Sequence, residues 1–295
     1  MSSTLKKIEL ILWFKCNCRC AFCVVDAETA RQSMTTAEAV RHMGRARKEG
    51  ASAVDFGGGE PTLRDDLAAL VRAAAAFGYS DIGVKSNGLM FCYPEYVETL
   101  RRAGADRFSV SVWGDCPSVH DALCRTPGAF EKMEMGIKNV VDSGGDPEAE
   151  VLLTVGSVPR LGRIVGAFAD IGVKRFRFWL YSLFGADSRF PELLPTLTDA
   201  GAAISRTSSS FASRGLIFST SHVPPCFLRA RGVYAPIADE GLRIITPGGA
   251  FAAERSPFEA GVKTRRCAGC SHADRCGGVR HEYLQRFSDA EITPI

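Results

Sequence analysis

Between residues 8 and 181, short apolar runs rich in β-branched residues alternate with longer amphipathic stretches, a rhythm that narrows the possible folds more than any other feature. Runs at 8–14, 52–56, 82–85, 108–113, 150–155 and 175–181 read as strands. Helices are expected at 35–48, 65–77, 94–103, 130–141 and 161–171, with another of about ten residues after Pro191. The first of them opens on a capping box, Thr35 with Glu38, and stops at Gly50. Parallel neighbours need crossovers of about a dozen residues or more, so six strand–helix units predict a mostly parallel α/β domain. Periodicity alone leaves a doubly wound sheet and a partial barrel both open.

After Gly201 the rhythm breaks into Ser-rich sequence at 205–213 and then Pro224-Pro225-Cys226. A boundary is expected there, dividing a core of 8–215 from a smaller unit of 216–295. Within the latter, 242–246 and 250–253 flank Pro247-Gly248-Gly249 and predict a β-hairpin, and 281–287 predicts a short closing helix.

A formal charge of +3 and scattered basic residues, without a long tract or interleaved aromatics, argue against nucleic-acid binding. The apolar run at 8–14 is followed at once by charge and cysteines, so neither a signal peptide nor a membrane span fits, and the cytoplasm is the default compartment. Eleven cysteines are the informative excess, because seven of them fall in two closely spaced clusters, at 16–23 and 267–276. A secreted disulfide framework would call for a shorter chain, an export signal and an even count. Ligation of a metal or cluster is therefore favoured.

The first group, Cys16-Asn-Cys18-Arg-Cys20-Ala-Phe-Cys23, contains the spacing C-x3-C-x2-C. Three thiolates can hold three irons of a cubane and leave the fourth iron open for another ligand. Close thiolates also suit tetrahedral zinc, which is the competing reading. Farther on, strand 52–56 runs into Gly57-Gly58-Gly59-Glu60-Pro61.

In these motifs the chain resembles the radical S-adenosylmethionine (SAM) enzymes over residues 8–181. Cys16, Cys20 and Cys23 match the family's cluster triad, Phe22 its aromatic before the third ligand, and Gly58-Gly59-Glu60-Pro61 its motif after the second strand. The resemblance implies a partial (β/α)6 barrel, a [4Fe–4S] cluster that cleaves SAM to a 5′-deoxyadenosyl radical, and a flavodoxin or ferredoxin-like reductant. By the same likeness Gly58, Gly59 and Glu60 would hold the methionine amino group, the glycines permitting close backbone approach to the cofactor. Ser86-Asn87-Gly88 would follow the third strand, and Ser109 and Ser111 would contact ribose or carboxylate. Cys18 departs from the family pattern and is read as a spectator thiol; taking 18, 20 and 23 as the triad would lose the match.

Cys226, Cys267, Cys270 and Cys276 form the second group, with the spacing C-x40-C-x2-C-x5-C. It resembles the auxiliary-cluster region of the SPASM and twitch branches, but position 280 is arginine where a further cysteine is expected. The four remaining ligands imply one auxiliary [4Fe–4S] cluster in a shortened, twitch-like domain, with structural zinc as the alternative. His222 and His272 lie beside this group.

Such a cluster could accept an electron from a substrate radical, making the enzyme an oxidoreductase acting on a small molecule. The alternative is a maturase that crosslinks or epimerises a ribosomally made peptide. No cobalamin or peptide-recognition domain is expected before residue 8, so a peptide substrate would call on a separate recognition protein or dock directly. The contrasting class is a non-enzymatic iron–sulfur or zinc scaffold. Cys92, Cys124, Asp115 and Tyr93 could provide a substrate-side proton or thiol relay, with a structural role the simpler reading.

Overall fold

A computed structural model of the protein describes residues 4–183, 190–228, 233–234, 241–253, 261–274 and 276–295. The alternation becomes one sheet whose parallel strands follow chain order: β1 (Lys7–Ile11), β2 (Ala53–Gly57), β3 (Asp81–Ser86), β4 (Arg107–Val112), β5 (Asp146–Leu153) and β6 (Arg175–Leu180). Between them run α1 (Thr36–Lys48), α2 (Leu67–Ala76), α3 (Pro94–Ala103), α4 (Pro117–Cys124), α5 (Ala129–Asp142) and α6 (Leu161–Asp170). Sequential order with right-handed crossovers puts every helix on one face, so the sheet curls with its other face inward as a partial (β/α)6 barrel.

The alternating side chains of each strand divide accordingly. Val54, Phe56, Val84, Phe108, Val110, Phe176 and Phe178 are fully buried on the helix side, against Met43, Leu70, Leu100, Ile137 and Phe168. Each such side chain contributes about 1.5–3 kcal/mol by leaving water. The intervening positions carry charge: Lys7 and Glu9 on β1, Asp55 on β2, Lys85 on β3, Arg107 on β4, Glu148 and Glu150 on β5, Arg175 and Arg177 on β6. These line the inner face, the lumen.

At residue 201 the structure departs from the sequence reading. Helix α7 (Leu197–Ser210) runs through Gly201 and most of the Ser-rich stretch. Gly201 is tolerated because the Phe227 carbonyl occupies the space a Cβ would need, and Ser208 and Ser210 return their hydroxyls to the carbonyls of Ser205 and Arg206. The sheet also continues beyond the expected sixth strand with β7 (Ile217–Ser221) and β8 (Val233–Tyr234), both parallel. The predicted hairpin forms as β9 (Leu242–Thr246) and β10 (Gly249–Ala252), and β9 pairs in parallel with β1. The order is therefore β10-β9-β1-β2-β3-β4-β5-β6-β7-β8, one sheet across the expected division at 215/216.

The final segment returns to the opposite edge. Helix α8 (His281–Phe287) places the buried Tyr283 hydroxyl against the Leu197 amide at 2.7 Å and Glu291 at 2.6 Å. Among the described residues no helix is long and apolar enough to cross a membrane.

Candidate active site at the barrel mouth

The first cysteine group lies in an irregular loop beyond the C-terminal end of β1, and two supports hold it. On one side the Gly59 and Glu60 amides donate to the carbonyls of Trp13 and Lys15, each at 2.8 Å, while Trp13 Nε1 donates to the Glu60 carbonyl at 2.8 Å. On the other, the Arg19 and Ala21 amides donate to the carbonyls of Cys124 and Leu123 at 3.0 and 2.8 Å, seating the loop on the end of α4. Phe22 packs edge-on between Trp113 and Tyr181, at 5.0 and 6.3 Å between centroids.

Cys16 and Cys23 are exposed and Cys20 is half-buried. Burial pushes the Cys20 thiol up to about 12, with the nearby sulfurs of Cys16, Cys124 and Cys23 adding to the effect. A hydrogen bond with Cys18 holds Cys16 down at about 7. Cys20 thus stands within electrostatic reach of both other expected ligands. Cys18 points elsewhere, toward Cys124 as well as Cys16.

The glycine–glutamate motif supports this loop, and its glycines have a different immediate purpose from the one expected. A Cβ on Gly58, whose φ is +133°, would overlap the Trp13 carbonyl, and one on Gly59 the carbonyls of Phe14 and Lys15. The close approach is made by the chain leading into the cysteines. Glu60 is fully buried, and its carboxylate accepts from Thr62 N, Thr62 Oγ1, Ser86 Oγ and Asn87 N at 2.5–3.1 Å. Burial raises its pKa and these donors oppose that shift. From the same junction Asn87 Nδ2 reaches Asn17 Oδ1 at 2.7 Å and the sulfurs of Cys18 and Cys16 at 3.5 and 3.8 Å.

Ser109 and Ser111 share the lumen face of β4. Ser109 Oγ donates to Glu148 Oε2 at 3.5 Å, and Ser111 pairs in register with Glu150. The surrounding charges are largely matched: Lys85 with Glu9 at 2.7 Å, Arg107 with Asp55 and Asp81 at 2.6 and 2.8 Å, Arg177 with Glu148 at 3.4 Å. Burial acts to raise the Asp55 pKa, yet Lys7, Lys85 and Arg107 together hold it well below the carboxylate range.

Glu150 is different. Its Oε1 is buried without a hydrogen-bond partner, and so is the indole Nε1 of Trp179 on the next strand. Burial raises the Glu150 pKa against the pull of Lys85 and Arg177. Neither residue was singled out from sequence; the available signal was charge at every second position of strands otherwise buried, where a parallel strand ordinarily reads as an unbroken apolar run.

The second group also assembles. Cys226 follows β7, and with Cys267, Cys270 and Cys276 it lines one open-mouthed cavity, beside Lys263 and His272. Burial pushes Cys226 up to about 11, with Cys276, Cys270 and Cys267 adding to it. Burial likewise raises Cys276, whose sulfur accepts from the Gly278 amide at 3.3 Å. Of the two flanking histidines, His272 joins the lining and His222 does not. His222, in the left-handed region at φ +65°, lies between the Trp179 ring at 5.7 Å and Arg280 Nη1 at 3.4 Å. Cys92 and Cys116 stand apart from both groups, Cys116 beside Ser118 and Arg160.

Residues 10–159, half of the chain, match the family profile of the radical SAM superfamily. The chain belongs to that superfamily. A radical SAM protein works with a [4Fe–4S] cluster and SAM, and this one is accordingly an enzyme. Among curated relatives, a "Probable GTP 3',8-cyclase" of Saccharolobus solfataricus is 32% identical over 143 residues, 48% of this chain and 45% of that protein. An "AdoMet-dependent heme synthase" of Oleidesulfovibrio alaskensis is 28% identical over 177 residues, 58% of this chain and 45% of that one. The chain thus spans about half the length of the curated relatives it matches. Among solved structures, Streptococcus suis SuiB bound to SAM shares the fold at a TM-score of 0.74, with 16% identity, over 94% of this chain and 73% of SuiB.

Proposed function

We propose that this radical SAM enzyme oxidises a small polar substrate held in the barrel lumen, with a second [4Fe–4S] cluster accepting the electron left on the substrate. The observation that carries the reading is the four-cysteine cavity, whose lining residue Val279 is followed by Arg280, in contact with His222 and through it with Trp179 of β6. Cys16, Cys20 and Cys23 would hold the first cluster and Cys226, Cys267, Cys270 and Cys276 the second. Residues 8–215 would then be the core and 216–295 the auxiliary-cluster unit of SPASM or twitch type.

The donor set fits. Four cysteines line one cavity together, an all-thiolate donor set. Such a set is what a cubane binds, and structural zinc is the competitor, which metal content separates from it. Bound at the first site and reduced by a flavodoxin or ferredoxin-like partner, the cluster supplies the electron that splits SAM into methionine and a 5′-deoxyadenosyl radical.

The chain's own residues position and protect the reactants. Gly58, Gly59, Glu60, Ser86 and Asn87 form the shelf beside the cysteine loop where the methionine moiety would lie. Ser109 and Ser111 present hydroxyls to the lumen for the rest of the cofactor. Removal of a hydrogen atom from the substrate, followed by one electron and one proton, is a two-electron oxidation. Glu150, with its raised pKa and unpartnered oxygen, is the candidate acceptor of that proton, and Trp179 Nε1 the candidate donor to a substrate oxygen.

A peptide substrate is the second reading, favoured by the shared fold with SuiB, one structure of which holds its precursor peptide, SuiA. The test is iron and zinc content with Mössbauer spectroscopy on anaerobically reconstituted protein. About eight irons per chain, falling to about four in a C16A/C20A/C23A variant, is the expected result for two cubanes. About four irons falling to none, with zinc retained, would overturn the second cluster and the electron transfer built on it.

A further inference from the structure

Two cysteines outside both ligand groups, 106 positions apart in sequence, are brought together. Cys18 in the first loop and Cys124 at the last position of α4 are held side by side by the main-chain bonds that seat the loop on that helix. Cys124 is buried and Cys18 is half-buried, so the pair forms the floor of the loop. A disulfide asks for Cα atoms roughly 4.4–6.8 Å apart. The amide of Arg19, next to Cys18, donates to the carbonyl of Cys124 itself at 3.0 Å, which sets the two main chains at that scale.

The neighbourhood favours sulfur chemistry. His120 Nδ1 accepts from the Trp113 amide at 3.2 Å, which leaves the ring proton on Nε2, and His120 stands one helical turn before Cys124 on the same face of α4. A thiol served by an imidazole and facing a second thiol is the arrangement in which one sulfur, once oxidised, is captured by the other.

We propose that Cys18 and Cys124 are a redox-modification site, forming a reversible disulfide that fastens the cysteine loop to α4 under peroxide. One sulfur takes an oxygen from hydrogen peroxide, becoming a sulfenic acid as the O–O bond breaks and water leaves. The other, as thiolate, displaces hydroxide to form the S–S bond, and the released proton converts the hydroxide to a second water. Two electrons pass from the two thiols to the peroxide, and a dithiol reductant reverses the change. The disulfide also removes the loop's extra thiol, leaving Cys16, Cys20 and Cys23 as its remaining thiols. The ambiguity that Cys18 creates in the ligand spacing then disappears whenever a damaged cluster must be rebuilt.

The site does not depend on the substrate or on a second cluster, and its test needs neither. Anaerobically prepared holoprotein is treated with hydrogen peroxide, denatured, alkylated and mapped without reduction. The expected result is a peptide linked through Cys18 and Cys124, with both residues lost from the alkylated set and recovered by dithiothreitol. In C18S, Cys124 should remain alkylatable after the same treatment, and iron content before treatment should equal wild type. Persistence of Cys124 as a free thiol in oxidised wild type, while Cys16, Cys20 and Cys23 crosslink instead, overturns the proposal. So does loss of first-site iron in C18S, which would make Cys18 a ligand.

Discussion

Glu150 sits in a lumen whose other acids are matched by lysine or arginine, and its unpartnered oxygen has consequences for both stability and turnover. Its folded pKa is raised by burial. The sign follows from linkage: the stability it confers is present below the ordinary carboxylate range and is lost as pH rises through the folded value. Glu150→Gln should therefore melt at the same temperature as wild type or higher at neutral pH, with the difference vanishing in acid; thermal scans at several pH values check this. In the same variant, substrate-dependent turnover should fall by about 100-fold or more, as for loss of a general base, while substrate-independent formation of 5′-deoxyadenosine persists. Loss of both activities together would remove Glu150 from the substrate side.

At the scale of elements, the decisive contact is between the turn after β2 and the segment that carries the cysteines. Gly58→Ala would put a methyl group into the Trp13 carbonyl at a φ that side chains rarely adopt, so the cost is about 1–3 kcal/mol and the cysteine loop must move. Reduced iron uptake at the first site with a folded sheet is the expected outcome, read from iron per chain beside circular dichroism. The six strand–helix units were legible because their helix-facing residues are apolar at the right period, and the hairpin at 242–252 because Pro247-Gly248-Gly249 marks its turn. Strand β7 escaped notice because Ser219, Thr220 and Ser221 hide its alternation, although Phe218 and Thr220 are buried. Both cysteine groups were legible from spacing, whereas the lumen acids were not, since their meaning depends on which face of a curled sheet they occupy. The approach of α4 to the cysteine loop was likewise invisible, because α4 itself was not foreseen.

Over the whole molecule, the last described segment packs beside β6 and α7, where Tyr283 anchors it through Leu197 and Glu291. Tyr283→Phe leaves a buried amide and a carboxylate short of a partner, costing about 1–3 kcal/mol. Hydrogen exchange should report this as faster opening of residues 261–295, with β2 to β5 unchanged. Uniform acceleration across the sheet would instead mean that this segment unfolds only with the barrel.

The pairing of β1 with β9 also sets an order of events during synthesis. Arg243, the partner of Ile8, leaves the ribosome more than two hundred residues after it. Contacts of such separation form late, after the loop between them has been closed. The strand that leads into Cys16, Cys20 and Cys23 therefore gains its second neighbour only once β9 has been made and docked, and cofactor loading at that loop belongs after that event.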